Sequence, residues 1–134
     1  IEVLSWSWNV SNASSGGMAG GSGKGKAHPG DFTFMHIYDK ASPMLAKLVA
    51  TGRHVKQAWL SARKSGEGQK DFLKITMKEV FITSTYQSGS EEGITEVVTA
   101  AARHVVFEYR PSDVKGGLGP PVSFDWDIVK NKVK

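Results

Sequence analysis

Apolar side chains recur at every second position along most of this chain, a period that favours β-strands over helices. The clearest case is residues 122–128, where Val, Phe, Trp and Ile alternate with Ser and Asp. Clusters of Gly, Ser and Pro separate such segments and indicate turns. Strands are predicted over residues 1–10, 32–38, 55–63, 71–86, 94–110 and 122–128.

Two of these strands carry further information. In residues 1–10 the alternation places Leu4, Trp6, Trp8 and Val10 on one side, predicted to be buried, with the small hydroxyls of Ser5 and Ser7 opposite. In residues 71–86 the apolar positions change from odd to even near Lys78-Glu79. Because a shift of one residue inverts the faces of a strand, a bulge or sharp bend is expected there.

One helix interrupts the strands. Ser42 is a predicted N-cap, and Pro43 stands at the first helical position, where its missing N–H is not needed. Met44, Leu45, Leu48 and Val49 form an apolar stripe at helical spacing, and Gly52 is a predicted left-handed C-cap. The expected fold is therefore mainly β, an antiparallel β-barrel or sandwich with one short flanking α-helix and a long Gly-rich loop.

The length of 134 residues predicts a single domain, residues 1–134. The absence of cysteine excludes disulfides, thiolate metal sites and a cysteine nucleophile. The net charge of +4 is spread along the chain, so no nucleic-acid surface is indicated. No apolar run is long enough for a membrane span, so we expect no membrane insertion. Residue 1 is Ile and the first segment lacks the features of a signal peptide, so we expect a truncated start.

Residues 11–30 are rich in Gly, Ser, Asn and Lys and can add little to a hydrophobic core. Residues 20–27 nearly match a phosphate-binding loop, but Ala27 stands where the motif needs Ser or Thr. A surface or interface loop is therefore expected, with no nucleotide cofactor.

No catalytic or metal-binding constellation is predicted. His28, His36, His54 and His104 lie in separate segments without metal-ligand spacing. Asp125 and Asp127 share one face of a strand, which is more typical of a solvated face than of a catalytic pair. We therefore expect that the protein is not an enzyme and needs no cofactor or metal.

Several segments together resemble the haemolysin-coregulated protein (Hcp) family, the tube protein of bacterial type VI secretion. Besides the Gly-rich loop, these segments are IEVLSWSW (1–8), DKASP (39–43), ARK (62–64), ITMKEV (75–80), TE (95–96), FEYRP (107–111) and WDI (126–128). They occur in order along nearly the whole chain. The resemblance implies a β-barrel subunit that forms homohexameric rings, which stack into a hollow tube. The tube is expected to assemble in the cytoplasm, inside a sheath and together with a spike. The rings are then expected to be exported and to carry effector proteins.

On that resemblance, we expect Ser5 and Ser7 to face the lumen of the ring, because small polar side chains leave room for cargo. The Gly-rich loop is expected to reach a neighbouring subunit or ring through Ser15, Gly16, Gly17, Met18, Gly20, Gly21, Lys24 and Lys26. The resemblance implies a further strand and its connecting loop before the segment that corresponds to residue 1, which the given sequence does not include. It also implies larger residues at 100–102, where this sequence has Ala. The alternative hypothesis is that the protein is a monomeric β-barrel that binds a small ligand or single-stranded nucleic acid.

Overall fold

The computed structural model describes residues 1–12, 26–63, 70–113 and 115–134. Its elements are β1 (Val3–Ser7), β2 (Val10–Asn12), β3 (Ala27–Pro29), β4 (Phe32–Ile37), α1 (Ser42–Thr51), β5 (His54–Arg63), β6 (Asp71–Ser90), β7 (Gly93–Tyr109), β8 (Val122–Asp127) and β9 (Lys132–Val133). All strand pairs with a described register are antiparallel. The predicted fold class, mainly β with antiparallel strands and a short helix, is confirmed.

The chain divides into two compact units. Unit 1 contains Ile1–Gly52 and Ile82–Ala101, and unit 2 contains Arg53–Phe81 and Ala102–Lys134. The long strands β6 and β7 supply residues to both. No helix among the described residues has the length and apolar character needed to cross a membrane.

In unit 1, β4 pairs with β1 on one side and with β7 on the other. The residues of β4 that point to the buried side include Phe32, opposite Ala100 of β7. Phe34 lies opposite Val98, which is fully buried. Ala100 therefore lies in the core, opposite the aromatic residue Phe32.

The N-terminal segment differs from the prediction of one half-buried strand over residues 1–10. β1 ends at Ser7, and its register with β4 shifts between Val3 and Ser5. Leu4 and Val10, predicted to be buried, are 54% and 47% exposed in the single chain. The prediction was wrong for these residues because alternation shows which side chains share a face, whereas burial also requires something to cover that face.

The predicted loop over residues 11–30 is also corrected at both of its ends. β2 and β3 pair in a two-stranded sheet, with Val10 opposite Pro29 and Asn12 opposite Ala27. The Gly30 N–H donates to the Asn9 carbonyl at 2.7 Å and closes the base of this hairpin. Residues 13–25, which include six of the seven glycines of the predicted loop, lie outside the described residues.

Helix α1 begins at Ser42, one residue earlier than predicted. Ala41 is the N-cap and offers no side-chain hydrogen bond, so the prediction of Ser42 at that position was wrong. The buried Ser42 hydroxyl instead accepts from the Asp39 N–H at 3.1 Å. Met44 is 58% exposed and does not belong to the covered stripe, whereas Gly52 is the predicted left-handed C-cap, with φ 67°.

In unit 2, β5 pairs with the first half of β6, and β8 pairs with the second half of β7 and with β9. Among the described residues of this unit, the buried side chains are Ile75, Thr76, Met77, Val80, Val105 and Trp126. Glu79 adopts a positive φ of 52°, a local irregularity of the backbone at the position where a bulge or sharp bend was predicted. The β5–β6 register is the same on both sides of it, from Gln57 opposite Lys78 to Val55 opposite Val80, so the ladder with β5 contains no inserted residue there.

Candidate functional site

The three-stranded part of unit 1 formed by β1, β4 and β7 has two chemically different faces. Residues directly opposite in adjacent antiparallel strands share a face, so the register assigns every side chain in these strands. One row joins Trp6, Phe34 and Val98, and the next joins Val3, His36 and Glu96. These rows belong to the buried face.

The opposite face carries small hydroxyl and apolar side chains. Ser7 lies opposite Thr33, which lies opposite Thr99, and Ser5 lies opposite Met35, which lies opposite Val97. We call these six residues the Ser/Thr face. None of them is ionisable, and the serines are exposed whereas the other four are half-buried. Ser5 and Ser7, predicted from alternation alone, lie together here, and the register adds Thr33 and Thr99, which local sequence could not connect to them.

Trp6 partly covers the buried face at β1. Its ring stacks on Phe32 with a centroid distance of 6.1 Å and an interplanar angle of 21°, yet 39% of Trp6 remains exposed. Leu4 and Val10, in the same segment, are also exposed. The N-terminal segment of a single chain thus presents large apolar side chains to solvent, a composition suited to docking against another protein surface.

Of the loop residues predicted to contact a neighbouring subunit or ring, Lys26 alone lies in the described part of the chain. Ser15, Gly16, Gly17, Met18, Gly20, Gly21 and Lys24 lie outside the described residues. Lys26 is described and is exposed, just before β3. Because Ala27–Pro29 is a strand, the helix that a phosphate-binding loop requires does not follow the glycines.

Three of the four histidines pair with a carboxylate, while His28 is exposed on β3. His36 Nε2 lies 2.8 Å from Glu96 Oε1, with both side chains fully buried. His54 Nε2 lies 2.6 Å from Glu79 Oε2, and His104 Nε2 lies 2.6 Å from Asp125 Oδ1. The described part of the chain contains no cluster of three or more metal-binding side chains.

These pairs refine the sequence interpretation. Asp125 is not merely solvated, since it is half-buried against His104, while Asp127 Oδ1 accepts from the Lys130 N–H at 3.0 Å. The two aspartates therefore have separate partners. The pairing of His36 with Glu96 was missed because the residues are 60 positions apart and no local pattern connects them.

Comparison with known proteins identifies the family. Residues 1–109 match the family model described as "Type VI secretion system effector, Hcp". The chain is also 41% identical over 135 aligned positions to protein hcp1 of Pseudomonas aeruginosa, an alignment that covers 98% of this chain and 83% of that protein. The chain belongs to the Hcp family of type VI secretion proteins, as the resemblance predicted.

Solved structures agree. Hcp1 from Salmonella typhimurium superimposes with a TM-score of 0.81 at 34% identity, covering 100% of this chain and 84% of that one. A structure described as a type six secretion system protein gives a TM-score of 0.90 at 26% identity, covering 100% and 86%. Members of this family are secreted by the type VI system, which is a structural and export role.

Proposed function

We propose that this protein is a structural subunit of the type VI secretion tube, in which six copies close into a ring and rings stack around a continuous lumen. The observation that carries the proposal is the exposure of Leu4, Trp6 and Val10 in a single chain of this family. These large apolar side chains are uncovered in a single chain, and a neighbouring copy of the same chain would supply the cover. A durable contact of this kind buries about 800 Å² on each partner.

The Ser/Thr face is the part of unit 1 that we assign to the lumen. It combines exposed hydroxyls at Ser5 and Ser7 with half-buried Thr33 and Thr99 and lacks charged side chains. Such a surface can contact many effector proteins, because its hydroxyl groups form hydrogen bonds and its lack of charge does not select for effectors of one charge. The ring then carries effectors as it is exported, and sheath and spike components are its other partners. The Gly-rich segment, including Lys26, remains our candidate for contacts between subunits or rings.

The absence of cysteine from the sequence allows a direct test. Light scattering of the wild type should give six times the monomer mass over a wide concentration range. A Ser7→Cys variant coupled to a maleimide-gold particle should then show the label inside the central opening of rings in electron micrographs. Ser123→Cys, an exposed serine of β8, serves as the labelled comparison, and the cysteine-free wild type controls for non-specific gold.

The outcomes separate the two parts of the proposal. A monomer at every concentration would contradict ring formation and favour the alternative, a barrel that binds a small ligand or single-stranded nucleic acid. Intact rings with the Ser7 label at the outer rim would leave the tube function standing and remove the lumen assignment of the Ser/Thr face.

A further inference from the structure

A fourth strand, β6, continues the Ser/Thr face beyond β7. β6 ends at Ser90 and β7 begins at Gly93, so residues 91–92 alone form the turn that joins them. A hairpin loop of this length fixes the register of the strands on either side of it. Counting back from Ser90 opposite Gly93 places Tyr86 opposite Val97.

Two side-chain contacts agree with this register. Gln87 Nε2 donates to Glu96 Oε2 at 2.6 Å, and a Cβ on Gly89 would lie 3.7 Å from Ile94 Cγ1. In the same count, Gln87 lies opposite Glu96 and Gly89 lies opposite Ile94. Glu96 belongs to the buried face of β7. The odd-numbered residues of this part of β6 therefore share the buried face, and the even-numbered residues share the Ser/Thr face.

On that face β6 presents one large side chain among serines. The even-numbered residues are Ser84, Tyr86, Ser88 and Ser90. Tyr86 is 69% exposed, the largest exposed fraction of any large hydrophobic side chain in the described part of the chain. Its side chain has no hydrogen-bond or ring partner among the described residues. The neighbouring serines on this face are about 7 Å away along the strand and too short to cover the ring, so both of its sides are open to a partner.

The row of side chains that crosses the sheet at Tyr86 is apolar. Val97, opposite Tyr86, is also opposite Met35 of β4, and both are half-buried. In the next row Ile37 lies opposite Thr95 and is 61% exposed. We call Tyr86, Val97, Met35 and Ile37 the Tyr86 strip. It is an apolar band within a face whose other side chains carry hydroxyl groups.

We propose that the Tyr86 strip is the anchor that selects effectors, and that it takes an apolar side chain from the surface of an effector protein. This role rests on the proposed function, in which the Ser/Thr face lines the lumen. Aromatic side chains provide much of the binding free energy at protein interfaces, because they bury a large area at a low cost in conformational entropy.

The absence of charge from this surface determines which side chains it favours. Neither the Tyr86 strip nor the Ser/Thr face contains a charged side chain. A charged effector group buried there would lose its hydration without gaining an opposite charge, whereas an apolar group loses nothing of this kind. The Tyr86 hydroxyl can in addition donate a hydrogen bond to a backbone carbonyl of the bound effector.

The test uses disulfide exchange at one introduced cysteine, which the cysteine-free chain permits. Ser84→Cys places a thiol on the same face as Tyr86, two residues away. The protein is equilibrated in a thiol buffer with short peptides that each carry one cysteine beside Leu, Lys or Glu side chains, and mass spectrometry measures each mixed disulfide. Ser123→Cys on β8 measures the intrinsic differences among the peptides, and capture at Ser84→Cys is expressed relative to it.

The Leu peptide should be captured at Ser84→Cys about fivefold more than the Lys and Glu peptides, which corresponds to the free energy of one aromatic contact. Adding Tyr86→Ser, which makes this position like its neighbours, should remove most of that preference. Tyr86→Phe should keep it, because the ring is retained. Trp59→Ala removes an aromatic side chain of similar exposure, 62%, from unit 2 and should leave the preference unchanged.

Equal capture of the peptides, a preference for the Lys peptide through its cation, or a preference that survives Tyr86→Ser would overturn the proposal. Circular dichroism checks that each variant is folded, which the exposure of Tyr86 leads us to expect. Light scattering on the same samples separates this proposal from the tube function. Rings with equal capture would remove the role of the Tyr86 strip and leave the tube function standing. Monomers with a Tyr86-dependent preference for the Leu peptide would support the strip as a binding surface and contradict the tube function.

Discussion

Adjacent residues of β7 offer a sensitive test of the two faces on which the candidate site depends. Val98 is fully buried opposite Phe34, whereas Val97 is half-buried opposite Met35 on the Ser/Thr face. Replacing each by Ala removes the same two carbons and changes strand propensity equally. Any difference in stability between the variants therefore reports the difference in burial.

The expected loss for Val98→Ala combines two terms. Two buried carbons contribute about 0.8 kcal/mol each, roughly 1.6 kcal/mol together. A residual cavity of about 50 Å³ adds about 1.2 kcal/mol at ~24 cal/mol per Å³. The total is about 3 kcal/mol, equivalent to roughly 10 °C in Tm for a chain of this length. Val97→Ala should cost only about 0.8 kcal/mol. Because Val97 is half-buried, its two carbons contribute about half of the burial free energy, and solvent fills the space that they leave.

Urea unfolding followed by circular dichroism, with Tm from thermal scans, measures both variants under the same conditions. Equal losses, or a larger loss for Val97→Ala, would show that the two faces of β7 are not assigned as the register indicates. In that case the Ser/Thr face would cease to be a candidate for a lumen surface.

Two glycines provide further predictions. A Cβ on Gly30 would lie 1.4 Å from Asn9 Oδ1 and 3.1 Å from the Asn9 carbonyl oxygen, so Gly30→Ala should destabilise the β2–β3 hairpin base by about 1–3 kcal/mol. The additional change Asn9→Ala should restore part of that loss in urea unfolding, and no restoration would contradict the steric explanation. Gly52 has φ 67° and open space around it, so Gly52→Ala should cost about 1 kcal/mol through the backbone alone. A neutral effect in the same measurement would show that the C-cap relaxes without strain.

Most predictions that rested on local patterns agree with the structure, although the N-cap of α1 is Ala41 and not Ser42. The strands follow from period-two alternation, and five of the six predicted segments, all except residues 1–10, match an observed strand to within a few residues. The irregularity at Glu79 could be predicted because the apolar residues of this strand change from odd to even positions there, which the local sequence shows. Gly52 ends α1 as expected, since a left-handed C-cap requires a residue that tolerates positive φ.

Predictions of burial and pairing were less complete, because they depend on residues distant in sequence. Ser5 and Ser7 were placed on a common face by alternation, but Thr33 and Thr99 join them only through strand register. Alternation likewise identified the side of Trp6, but not the exposure that remains after it stacks on Phe32.

The amino-acid sequence alone determined the β character of this chain, its short helix and its place in the Hcp family, because periodicity, caps and ordered motifs are local properties. Only tertiary structure decided that His36 meets Glu96 and Asp39, and that Leu4 is left uncovered. The physical reason is that pairing energies and burial arise when antiparallel strands bring distant residues together. A short segment of sequence does not specify which distant residues will be in contact.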